Sequence, residues 1–291
     1  MQLGGVRFIG YRSREDRFKI WHISDCHLLN AGCAEKELDA DIARIKADPF
    51  SFWFGGGDYA DYIGYKDGKR FDPDSVDERI TVKDLGQLGL KSATIVRDKF
   101  RPIAHKCLGL LLGNHEKEYQ RHSEQEHLHS WLCTELGVLN LGYCAIADIS
   151  FQRIVGENAG EPCLITDGPT ESSSRESTRF RFFLHHGAGF AQTAGGKLNR
   201  LTQFMQAFEA DIYFCGHVHD RVGRRLVTLG ADANCAKLVH REQLGMIAGS
   251  YLRTYTLGAC TYGEQRGYAP TCLGAASVEI HPNTREMKAE I

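Results

Sequence analysis

Five short apolar runs each end in a turn that carries aspartate, asparagine or histidine, and this recurrence constrains the chain more than any other feature. The runs are FKIWHIS (18–24), FSFWF (50–54), HKCLGLLLG (105–113), RFRFFLHH (179–186) and DIYFCG (211–216). Each has the length of a buried strand. Helical spacing separates them. Leu38, Ile42 and Ile45 mark a helix over 34–47, and residues 75–99 read as a longer one, weakened at Gly86 and Gly89. Leu128, Trp131, Leu132 and Leu136 mark another over 117–136, with Gly137 as its stop, and a further helix is predicted at 197–209. Residues 144–155 suit one or two strands, and beyond 222 strands and turns dominate. Strands alternating with helices predict a layered α/β (α+β) architecture, in which ligands bind at the carboxyl ends of the strands.

The chain has 291 residues, enough for one large domain with a substantial core. A single domain over 1–291 is expected, with insertions around 62–80, 117–142 and 156–178. The last of these holds the polar stretch ESSSREST, which reads as an exposed loop. A formal net charge of −2 gives no global pull toward nucleic acid or anionic lipid. The N-terminal stretch lacks the apolar core of a secretory signal, and no apolar run is long enough to span a membrane. Ten cysteines form no Cys-x-x-Cys pair, so reduced thiols and a cytoplasmic location are expected rather than a zinc ribbon or a disulfide framework.

The five turns are Ser24-Asp25-Cys26-His27, Gly57-Asp58-Tyr59-Ala60-Asp61, Gly113-Asn114-His115-Glu116, His185-His186-Gly187 and Gly216-His217-Val218-His219. Singly, several are ordinary: Asp after Gly is common turn chemistry. Together they deliver carboxylate, amide and imidazole to strand ends, with no thiolate. That mixed nitrogen and oxygen set suits Mn, Fe, Zn or Ni rather than a structural zinc site. Two imidazoles at the end of the buried run FFL would be costly without polar partners.

The order Asp-x-His, Gly-Asp-x-x-Asp, Gly-Asn-His-Glu, His, Gly-His-x-His resembles the calcineurin-like metallophosphoesterase superfamily, with all five blocks intact between residues 25 and 219. The resemblance implies a β-sandwich of two mixed sheets flanked by helices. It implies two divalent metal ions, manganese foremost. Asp25, His27 and His219 would hold one; Asn114, His217 and one of the His185–His186 pair would hold the other, with His185 favoured because the family's ligand is usually the first residue of its His-x-Gly turn. Asp58 would bridge both, and His186 would face substrate or support a ligand. His115 would be the general acid or contact a phosphate oxygen, while Asp61 and Glu116 would orient imidazoles. The implied reaction is hydrolysis of phosphate esters, diesters in preference, by a metal-activated hydroxide. No Gly-x-Ser-x-Gly elbow points to a covalent intermediate. The substrate would be a small molecule or a nucleic acid. The alternatives are a non-catalytic metal-binding scaffold, a nuclease-branch enzyme acting on DNA, and a hydrolase of a non-phosphorus ester.

Other features carry weaker signals. The run RVGRR (221–225) offers three arginines for phosphate or for a solvated turn. GGKLNR (195–200) is an ordinary helix start or an anion contact through Lys197. His122, His127 and His129 are expected to be exposed, His22 to be a satisfied strand residue, and Tyr59 to line the pocket or pack.

Overall fold

The computed structural model describes the chain except residues 69, 124, 126, 155–160, 166–172, 190, 192 and 259–260. Much of the expected 156–178 insertion therefore lies outside the described residues.

Two mixed sheets pack face to face. One has seven strands in the order β6-β1-β5-β7-β8-β10-β9: β1 Gln2–Tyr11, β5 Cys144–Ile154, β6 Cys163–Ile165, β7 Ser173–His185, β8 Ile212–Cys215, β9 Val222–Ala231 and β10 Leu238–Ile247. The other has five in the order β12-β11-β2-β3-β4: β2 Phe18–Ile23, β3 Ser51–Gly55, β4 Cys107–Leu110, β11 Ala276–His281 and β12 Glu286–Glu290. β2, β3 and β4 run parallel, as do β7, β8 and β10. The carboxyl ends of both parallel sets meet at one end of the sandwich.

Side-chain alternation assigns each strand residue to a layer. Phe18, Ile20, Phe52 and Phe54 from one sheet meet Ile149, Phe180, Phe182, Leu184 and Phe214 from the other in the central core. Trp21, Ile23 and Trp53 point the opposite way, toward helices α1 (Glu35–Ala47), α2 (Leu88–Phe100) and α4 (Leu128–Leu136). Phe183 and Tyr213 face Leu201 and Met205 of α5 (Ala194–Ala207). This is the sandwich with flanking helices that the resemblance implies. Phe182 is fully buried, 5.4 Å from Phe54 and 5.7 Å from Phe214 between ring centroids. Phe182→Ala is expected to cost about 3–5 kcal/mol, because the sheets cannot close on the cavity. Urea unfolding with chelator present checks this without cation binding masking the loss.

Three elements differ from expectation. The first part of the predicted 75–99 helix is irregular, with 3-10 turns at Pro73–Ser75 and Val82–Gln87, so that the long helix begins only at Leu88. The predicted 117–136 helix is two, α3 (Asn114–Ser123) and α4. Strand β1 was not expected, since its outer half is exposed and its apolar alternation weak. Lys106, buried just before β4, donates to the carbonyls of Ile45 (2.7 Å) and Asp48 (2.6 Å), satisfying groups where α1 ends.

Candidate metal centre

The five ligand turns converge. β2 and β3 end side by side, and their turns are zipped together by backbone bonds from Asp25 N to Gly57 O (3.0 Å), His27 N to Asp58 O (3.0 Å) and Leu28 N to Tyr59 O (3.1 Å). The turn after β4 becomes the first turn of α3, whose His115 N–H donates to Asp58 Oδ1 at 2.8 Å. A helix N-terminus thus meets a carboxylate, a favourable pairing. β7 and β8 are joined beyond their ends by Gly216 N to His186 O (2.8 Å).

Close approach explains two of the glycines. A Cβ on Gly113 would collide with Asp58 Oδ1, and one on Gly57, at φ +95°, would lie 2.6 Å from Gly113 Cα. The turns also hold ordinary residues in the left-handed region. Among the described residues nine non-glycines have positive φ, and five of them are Asp25, His27, Asp58, His217 and His219. Such strain persists where surrounding structure enforces it, and it gathers at functional sites.

Three donor groups result, each with ligand atoms within 4.8 Å of one another: Asp25, His27 and His219; Asp58, His186 and His217; and His27, Asp58 and His115. His27 Nε2 and His219 Nε2 stand 3.3 Å apart. Asp25 Oδ1 is buried without a hydrogen bond, 3.2 Å from His219 Nε2. His186 Nε2 is 2.8 Å from Asn114 Oδ1 and 3.3 Å from Asp58 Oδ2. Facing lone pairs around two buried carboxylates fit divalent cations, and the donor set is nitrogen and oxygen throughout. The carboxylates draw positive charge inward. Burial lowers the His186 imidazole, but Asp58 and Asp25 outweigh it and raise it to about 10. Asp58 itself is held below the usual carboxylate range, since the neighbouring imidazoles overcome the desolvation that raises it.

His185 was the favoured one of the pair, and the structure places His186 rather than His185 beside Asp58 and His217. β7 keeps Phe180, Phe182 and Leu184 on the inner face and Phe183 on the outer, so His185 follows Phe183 outward. Its ring stacks on Phe204 of α5 at 4.8 Å, and its Nδ1 accepts from Gly187 N at 2.8 Å. His186 continues the inner row. Its Nδ1 meets Gly56 O at 2.8 Å, which directs Nε2 at the other donors.

Asp61 lies 3.2 Å from His27 Nδ1 and is itself held by Asn30 Nδ2 at 3.1 Å. Its backbone carbonyl takes His115 Nδ1 at 2.5 Å. Among the described residues Glu116 has no hydrogen bond to an imidazole. Its carboxylate accepts backbone N–H bonds from Asp58 (2.9 Å), Tyr59 (2.7 Å) and Gly113 (3.0 Å), clamping two ligand turns together. Asn30 and Ser24, whose hydroxyl meets Asp25 Oδ2 at 2.5 Å, support the site without being candidates from motif alone. Their place within or beside the first turn was the available signal.

The weaker candidates resolve differently. Arg224 bonds Thr202, Arg225 bonds Glu242 and the Met287 carbonyl, and Arg221 bonds the Leu273 carbonyl. Lys197 pairs with Asp220 at 3.1 Å. Tyr59 is fully buried, with its hydroxyl on Leu111 O. His129 is buried and stacked on Tyr59 rather than exposed, because it sits on the inward face of α4.

His22 is buried in the central layer against Phe214, ring centroids 4.9 Å apart, and both its nitrogens lack hydrogen bonds. It is not the satisfied strand residue expected. Burial depresses its pKa to about 3, so it folds neutral. The unfolded chain takes up that proton below about pH 6.5, and stability falls as pH drops from there toward 3. His22→Phe is expected to remove about 1.4 kcal/mol per pH unit of that slope. Unfolding curves at pH 4.5, 5.5 and 6.5 would measure it; an unchanged slope would show that His22 does not contribute.

A family model for calcineurin-like phosphoesterases matches residues 18–221. No curated protein matches the sequence. Among solved structures, a conserved uncharacterised Streptococcus pneumoniae protein described as a predicted phosphoesterase aligns with 14% identity and a TM-score of 0.32, over 91% of this chain and 84% of that one. A metallophosphoesterase from Sphaerobacter thermophilus aligns with 14% identity and a TM-score of 0.37, over 94% and 87%. Haemophilus influenzae NAD nucleotidase aligns with 10% identity and a TM-score of 0.39 over 97% of this chain, which spans 50% of that longer protein.

Proposed function

This chain belongs to the calcineurin-like phosphoesterase family, which makes it a metal-dependent phosphoric ester hydrolase, and we propose that it works with two cations, manganese foremost, on phosphodiesters. The observation that carries the dinuclear assignment is the double membership of Asp58. It groups with His186 and His217 on one side and with His27 on the other. Asp25, His27 and His219 would hold one cation; Asn114, His186 and His217 would hold the second; Asp58 would serve both. A bound cation pair would polarise the phosphate and lower the pKa of a water near it.

The chain's own residues would do the rest. Asp61 fixes the His27 ring, so Nε2 faces the donors. Glu116 holds the Asp58 and Gly113 turns at their spacing. His115 would give a proton to the leaving oxygen. Its Nδ1 is tied to Asp61 O, which leaves Nε2 for that transfer. Burial pulls its pKa down, yet Asp58 and Asp61 hold it above the ordinary imidazole value, which favours the protonated form an acid needs. The intact Gly-Asn-His-Glu block supports the diester preference. Free thiols at nine described cysteines fit the proposed cytoplasmic location. No helix among the described residues is long and apolar enough to cross a membrane.

Metal analysis separates the two adjacent histidines. His186→Ala is expected to lower bound manganese from two ions to one and to abolish turnover of bis(p-nitrophenyl) phosphate. His185→Ala should retain both ions. The reverse pattern would overturn the ligand assignment.

A further inference from the structure

A cleft of about 80 Å³ opens between Tyr62, Tyr65 and Arg70, the start of α2 and helix α3. It is joined to the proposed metal centre in two ways. Tyr62, at its inner wall, follows Asp61, whose carbonyl holds His115. His115, Glu118, Tyr119 and His122 are spaced i, i+3, i+4 and i+7 along α3, so the helix face that carries His115 continues as the floor of the cleft. Three tyrosines line the cleft, Tyr62, Tyr65 and Tyr119. Tyr65 is 52% exposed at its mouth, whereas Tyr62 and Tyr119 pack ring against ring at 5.8 Å. Arg70 is fixed there by Asp67, with Nε to Oδ2 at 2.7 Å.

These walls have a functional direction. The group that accepts a proton from His115 is the leaving alcohol, so its substituent lies on the His115 side of the phosphate, the side on which α3 and the cleft stand. We propose that this cleft is the leaving-group subsite and that it takes the planar base of a nucleoside, stacked between Tyr65 and the Arg70 guanidinium. The assignment rests on the proposed phosphodiesterase reading and names its substrate class. A ring of aromatic and guanidinium planes binds any base through its π-face. The volume suits one ring system rather than a polymer. Leu85 and Leu88 supply the apolar edge of the cleft.

The test compares two alkyl diesters, a thymidine dinucleotide and glycerophosphocholine, with manganese-loaded wild type, Tyr65→Ala and Tyr65→Phe. Both have alkyl alcohols as leaving groups, but only the first carries a base. Tyr65→Ala is expected to lower the dinucleotide-to-aliphatic ratio of kcat/KM about tenfold, chiefly through KM, and Tyr65→Phe to restore it. A ratio unchanged in Tyr65→Ala, with wild type active on either diester, would overturn the subsite alone. Wild type inactive on both diesters and on bis(p-nitrophenyl) phosphate would overturn the phosphodiesterase reading, and the subsite with it.

Discussion

Asp58→Ala is expected to strip the centre of metal and to lower kcat/KM by about 10³-fold or more. A divalent cation acting on phosphate contributes several kcal/mol of charge stabilisation, and each 1.36 kcal/mol is about a factor of ten. Asp58 sits at the junction of the donor groups, 1% exposed, with Oδ2 3.3 Å from His186 Nε2. Without it, buried imidazoles face one another with one carboxylate fewer to offset cation charge. The same substitution removes the acceptor for the His115 N–H, so the start of α3 loosens as well. Asp58→Asn separates the two effects, because it keeps the acceptor and loses the charge. It should bind metal far more weakly than wild type while leaving the fold intact by thermal melting in chelator. Metal analysis after dialysis, paired with turnover of bis(p-nitrophenyl) phosphate, checks both variants. Wild-type turnover in Asp58→Ala would contradict the mechanism.

His115→Gln should discriminate between leaving groups rather than between metals. Loss of a general acid costs about 10²–10⁴-fold when the leaving group is an alkoxide. A nitrophenolate leaves without a proton, so its hydrolysis should fall less than about tenfold. The wild-type profile of kcat/KM for an alkyl diester should decline on the alkaline side as His115 loses its proton, and the variant should lack that decline. Metal content should not change. Equal losses on both substrates with loss of metal would instead make His115 a ligand, as its grouping with His27 and Asp58 permits.

The fold and the site were unequally legible in the sequence. Strands buried on both faces announce themselves as apolar runs, which makes β2, β3, β4 and β8 legible with the turns after them, and β7 is legible from its apolar end, Phe182–Leu184. β1 is half exposed, and its pairing with β5 and β6 is set by tertiary contact rather than by its own pattern. The choice between His185 and His186 was open to parity. Arg179 and Arg181 alternate with Phe180 and Phe182, which places even-numbered residues inward and so His186 at the centre. The role of Glu116 was not legible, since it acts on the backbone of a turn 58 residues earlier. Nor could spacing reveal that Arg221, Arg224 and Arg225 are held by the Leu273 carbonyl, Thr202 of α5 and Glu242 of β10.

The central claim is that turns distant in sequence cage two cations with one carboxylate between them. Anomalous diffraction from manganese-loaded crystals tests it most directly. Two peaks are expected, roughly 3.5–4 Å apart, with Asp58 oxygen at both, Asp25, His27 and His219 around one, and Asn114, His186 and His217 around the other. One peak, or two with Asp58 bound to neither, would contradict it.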